Sequence, residues 1–210
     1  VDYQFVEFQH FGANPLTVSF IGTVVCTVLQ GWGLREQVKE IDREHSGTSI
    51  PAMTQAYFAA IFLATIPFGV RAHTLALIIN GTLGIGYLLV YLAATSYADN
   101  ANRKWWHALF ALFMPIMAVC PDPDHFTAVL LGIGTLTIFG WPIKMLRLGT
   151  KGVIKIDFLW TFFASASFWL GYYWYVDIIP LFIINVVGVP TVAVTIALWY
   201  WYAWKERTTN

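Results

Sequence analysis

The sequence predicts an all-α integral membrane protein with seven transmembrane helices, its N-terminus outside, arranged 3+1+3 as two parallel three-helix repeats joined by one helix. Three observations carry this prediction: too little charge to wet a surface, apolar stretches recurring at membrane length, and basic residues gathered on alternate loops. Of 210 residues, 58% are hydrophobic and only 11% charged, whereas a soluble domain carries about 25% charge. The apolar stretches approach the ~20 residues with which a helix crosses ~30 Å of hydrocarbon. No strand-like alternation recurs at even spacing, which argues against an outer-membrane barrel.

Residues 1–13 are polar and aromatic and read as an interfacial segment, without the basic n-region of a signal peptide. Spans are expected at about residues 14–34, 50–70, 74–94, 105–120, 126–146, 158–176 and 178–204. A charged amphipathic stretch from Arg35 to His45 follows the first span, and Pro51 suits the first turn of the second. The first repeat covers residues 14–94, a linker helix with its turns 95–124, the second repeat 125–204, and a cytoplasmic tail 205–210.

The loop charges test this division, because cytoplasmic loops collect Lys and Arg. Eleven of the twelve basic residues, from Arg35 through Arg103 and Lys155 to Arg207, fall on one side, and only Arg71 falls on the other. A wrong span count would scramble that pattern.

Zero net charge argues against nucleic acid as a partner. Cys26 and Cys120 read as buried thiols, with no CxxC spacing. The five histidines lie in loops or near span ends and form no zinc set. No carboxylate falls in mid-span, and the last span has no lysine before Lys205 for a Schiff base. An enzyme, a carboxylate proton relay and a retinal receptor are therefore disfavoured, and neither a metal nor a cofactor is expected.

Both triplets carry an Asn near a small residue in the third helix: Asn80 with Gly81 and Gly84, and Asn185 with Gly188, the two asparagines 105 residues apart. An amide in hydrocarbon is costly unless paired. Each Asn therefore serves as glue between helices, or the two share a polar chamber.

The segment Trp141-Pro142-Ile143-Lys144-Met145-Leu146-Arg147 resembles the PQ-loop of the SWEET/MtN3 sugar-transporter and PQ-loop-repeat superfamily. So does the helix from Asp177 through Asn185 and Gly188 to Trp204-Lys205. The first triplet keeps Gln37, Arg43, Ser46 and Ser49, with Glu36 at the motif's proline. The resemblance implies that Asn80 and Asn185 form a substrate-binding pair, with Trp169 against the substrate and Phe62, Thr65 and Ser165 beside them. It also implies that Pro51 and Pro142 act as hinges.

The function so implied is facilitated movement of a small polar, sugar-like solute through a central cavity in the cell membrane or an organelle membrane. The alternative is a structural or accessory subunit of a larger membrane or protein–pigment assembly on the same fold. A sorting or ligand receptor is a third reading. The lipid bilayer is a partner in each case, and a homo-oligomer or a place in a membrane complex is compatible with each, the sequence leaving the oligomeric state open.

Overall fold

The computed structural model describes residues 4–9, 11–97 and 139–209. Every regular element among them is helical: α1 (Val6–Gln9), α2 (Pro15–Glu44), α3 (Ala52–Arg71), α4 (Leu75–Gly81), α5 (Leu83–Ser96), α6 (Gly140–Leu148), α7 (Ile156–Tyr175) and α8 (Ile179–Thr209). Pro15–Glu44, Ala52–Arg71, Leu75–Ser96 and Leu181–Thr208 are long and apolar enough to cross a membrane. α7 has 20 residues as well, but its Trp and Tyr side chains lower its hydropathy. The expected fourth span, most of the fifth and the turn at 121–124 lie outside the described residues.

α2 begins where expected. Asn14 caps it by accepting from Thr17 N at 2.9 Å, and Pro15 takes the first helical position. Its end differs from the expected residue 34: the helix runs on to Glu44 and stops at His45 in the left-handed region, φ 46°. Loss of apolar character marked where the membrane stretch ends, not where the helix does. The added turns are held by pairs at helical spacing, Lys39 with Glu36 at 2.6 Å and Arg43 with Glu40 at 2.5 Å.

The faces of α2 are inverted relative to a soluble helix. Val18, Ile21, Val25, Val28, Leu29 and Trp32 form an exposed apolar stripe, whereas Thr23, Thr27, Gln30 and Gln37 are buried. Val28 is 68% exposed and Gln30, two residues on, 0%. Water would favour the reverse; hydrocarbon outside and polar contacts inside favour this.

The third stretch is broken. Between α4 and α5, Thr82 N and Thr82 Oγ1 both donate to the Ile79 carbonyl, at 3.2 and 2.7 Å, and Ile85 N donates to Thr82 O at 3.1 Å. These tight i→i+3 bonds interrupt the helix just after Asn80. A Cβ at Gly84 would sit 2.6 Å from Leu63 Cγ and 2.8 Å from Leu63 N, so only glycine lets α5 lie this close to α3.

α5 packs against both α2 and α3, α8 packs against both α6 and α7, and α2 runs along α7. One end of the bundle carries the connections at residues 46–51 and 149–155, which are tied across. Gln37 Nε2 donates to Val153 O at 2.8 Å, and Gln37 Oε1 accepts from Lys155 N at 3.0 Å. In the opposite sense Lys144 Nζ donates to Ile50 O at 2.5 Å, while Val153 N donates to Ser49 Oγ at 3.0 Å. Two separate apolar clusters fill the interior: a larger one including Phe58, Trp141, Phe158 and Phe162, and a smaller one including Phe20, Leu77, Trp169 and Tyr172.

Candidate functional site

A cavity lies where the two clusters meet. Tyr57, Phe58 and Phe162 of the larger cluster line it, as do Trp169, Tyr173 and Leu181 of the smaller. Its empty space, open mouth included, is about 630 Å³, of which about 70 Å³ can hold the centres of water-sized molecules. All six residues that the sequence singled out for a binding site are on its wall: Phe62 and Thr65 from α3, Asn80 from α4, Ser165 and Trp169 from α7, and Asn185 from α8.

The two asparagines differ in what they have left to offer. Asn80 is 2% exposed, and its Oδ1 lies 3.1 Å from Thr27 Oγ1, a hydroxyl also 2.8 Å from the Thr23 carbonyl of its own helix. The described residues give its amide NH₂ no partner. Asn185 is half-buried and donates through Nδ2 to the Leu181 carbonyl at 2.9 Å, which leaves its Oδ1 without a partner among the described residues. One amide therefore presents donors and the other an acceptor. Trp169 Nε1 is buried and makes no hydrogen bond to the described residues.

Thr65 contributes differently from what a binding residue would. Its hydroxyl is directed at backbone carbonyls, Phe62 O at 2.7 Å and Leu77 O at 3.2 Å, and so holds α3 to α4 while lining the cavity. Pro51 and Pro142 lie away from the cavity. Pro51 is the N-cap of α3 and Pro142 lies buried in the first turn of α6, both near the connections and neither on the cavity wall.

Aromatic rings flank the cavity on two sides. Toward the connections, Phe58 stacks on Trp141 at 5.4 Å and meets Phe162 edge-on at 5.3 Å. On the other side, Trp169 stacks on Tyr173 at 4.9 Å and meets Tyr172 edge-on at 5.2 Å. Among the described residues the lining carries no charged side chain. Among the described residues no group of three His, Cys, Asp or Glu is placed to hold a metal ion. Such a site can bind and orient a neutral molecule through amides and ring faces.

Sequence reasoning missed the polar support behind Asn80. Thr27 and Gln30 lie on the buried face of α2, and Gln30 Nε2 donates to Tyr87 OH at 2.5 Å. The helical spacing of Thr23, Thr27, Gln30 and Gln37, at steps of four, three and seven residues, was the available signal. It also missed Glu7, which is 1% exposed. No protein-family model, no curated protein and no solved structure matches the chain.

Proposed function

We propose that this chain is a membrane carrier that passes a small uncharged polar solute through the cavity, which opens alternately to either side. One observation carries the reading: asparagines 105 residues apart in sequence, at equal places in two triplets, line the same void with Trp169 between ring clusters. A donor amide and an acceptor amide on the wall of one cavity can grip a hydroxylated or amide-bearing solute without adding charge. The ring faces shield it from water.

The packing order supports two three-helix halves within a 3+1+3, seven-span chain, because in each half the third helix lies against both others. It equally supports kinship with the SWEET and PQ-loop superfamily, in which repeats about an axis along the membrane normal are the rule. The cross-tied connections then form the inner side and α1 the outer.

A second reading has an observation of its own. Trp174, Tyr200, Trp201 and Trp204 are exposed along with the α2 stripe, a surface suited to a structural or accessory subunit of a larger assembly. The asparagines separate the two. Under the carrier reading, Asn80→Leu and Asn185→Leu each remove hydrogen bonds worth about 1–3 kcal/mol of solute binding, while the bundle still assembles. The check is uptake into proteoliposomes per folded molecule, screened over neutral sugars, polyols and amides, beside thermal unfolding. Altered unfolding with unaltered uptake would return both residues to helix packing.

A further inference from the structure

The most heavily bonded buried group that the cavity does not use is at the N-terminal end of the bundle. Glu7 is the one charged side chain among the buried residues described, 1% exposed. Its Oε2 accepts from Leu75 N at 3.1 Å, and its Oε1 accepts from Ala76 N at 3.0 Å and from Tyr172 OH at 2.5 Å. The neighbouring backbone is tied as well, since Val6 N donates to His73 O at 2.9 Å.

These bonds satisfy a need that the local sequence leaves open. The first N–H groups of a helix have no partner within it. Thr74, in the N-cap position of α4, makes no side-chain cap bond, and its own hydroxyl is buried without a partner. A carboxylate brought from 68 residues away caps the helix instead. Charge-assisted bonds of this kind are about twice as strong as neutral ones and are favoured at a helix N-terminus.

The same carboxylate spans the two halves of the bundle. α4 belongs to the first triplet, and Tyr172 lies on α7 in the second. Tyr172 packs on Trp169, which lines the cavity. Beside Glu7, Phe8 rests on Phe20, a member of the small cluster, with ring centroids 6.5 Å apart.

We propose that residues 4–9 form a lid over the N-terminal end of the bundle and that Glu7 is its pin, holding α4 to α7 whenever that end is shut. Opening there requires α4 and α7 to part. Glu7 cannot follow both, so its bonds to at least one of them must break when that end opens. Glu7 is thus a positioning residue, acting on the cavity through Tyr172 and Trp169. The purpose of the pin rests on the carrier reading; its test does not.

The test reads access rather than uptake. Ser165→Cys places a thiol in the cavity of a chain whose own cysteines are removed by Cys26→Ser and Cys120→Ser. A membrane-impermeant maleimide is then applied to the face that carries the N-terminus. Glu7→Ala and Tyr172→Phe should each speed labelling about tenfold or more, since one lost charge-assisted bond already moves a two-state equilibrium that far. Glu7→Asp should recover part of the slow rate.

A disulfide between cysteines at Val6→Cys and His73→Cys provides an arm that does not depend on a weakened fold. Locked, it should suppress labelling at Ser165→Cys, and reduction should restore it. Labelling that ignores both the lock and the loss of the carboxylate would overturn the proposal. A chain that moves no solute yet shows the full labelling response would remove the carrier reading and leave the pin standing.

Discussion

At the scale of single residues, the buried polar side chains divide into those that spend their hydrogen bonds on backbone and those that keep some back. Gln37 belongs wholly to the first kind. Its amide donates to Val153 O and accepts from Lys155 N, and it is 1% exposed. Gln37→Leu keeps the volume and strands both backbone groups, so it should lower stability by about 1–3 kcal/mol for each group left unpaired. Arg35→Gln, two residues away and exposed, should stay within about 0.5 kcal/mol. Thermal unfolding in one detergent compares the two; equal shifts would mean that water replaces the lost partner. Asn80 and Asn185 are of the second kind, and this was legible because an amide in an apolar stretch announces its cost. That the two line one void was expected only through their equal place in the repeat. The spent hydroxyl of Thr65 was not legible, because its second acceptor, Leu77 O, comes from another helix. Glu7 was hidden for the same reason at greater range, its phenol partner being 165 residues away.

At the scale of elements, helices were easier to find than their ends. Apolar runs locate a membrane stretch, but backbone hydrogen bonding continues wherever side chains still support it. α2 therefore runs through Arg35–Glu44 on its own ion pairs. The break at Thr82 was not legible as a break: glycines beside Asn80 indicated bending or close packing without deciding between them, and the chain does both within five residues, Asn80–Gly84. The exposed stripe on α2 gives the sharpest test of the bilayer reading. Val25 lies midway along it and is 51% exposed. In water, Val25→Asp at such a position should change stability by no more than about 0.5 kcal/mol. In a bilayer it should disfavour insertion by about 2.5–3.5 kcal/mol, the cost of Asp near the centre of a span. Alkaline extraction of the membrane fraction reads the difference, and full retention of the variant would mean that the stripe faces protein rather than lipid.

At the scale of the whole molecule, the two ends of the bundle differ in charge in a way that neither packing nor burial requires. Gln37, the connections at 46–51 and 149–155, and the last turns of α8 share one end: Trp199 Nε1 donates to Ile154 O at 2.7 Å, and Lys151 Nζ lies 3.6 Å from Glu206 Oε2. Of the ten basic residues in the described part, nine lie toward that end, from Arg35 to Arg207, and Arg71 alone lies toward the end where Glu7 caps α4. Because cytoplasmic segments collect Lys and Arg, the end with the connections should face the cytoplasm. The acidic partners on α2 do not weaken this, since Asp and Glu contribute little to orientation. A tag after Asn210 and another within residues 99–102 should therefore be cytoplasmic, and one within residues 121–124 external. Asp177→Cys, in the exposed turn between α7 and α8, should react with an impermeant thiol reagent from outside. The two internal tags lie on either side of the expected fourth span, so their opposite placement is what makes the count odd and lets the two triplets run parallel. If the 99–102 and 121–124 tags lay on one side, the halves would be inverted, and Asn80 and Asn185 could not be equivalent by rotation about the membrane normal; a tail on the same side as the 121–124 turn would instead break the seven-span count.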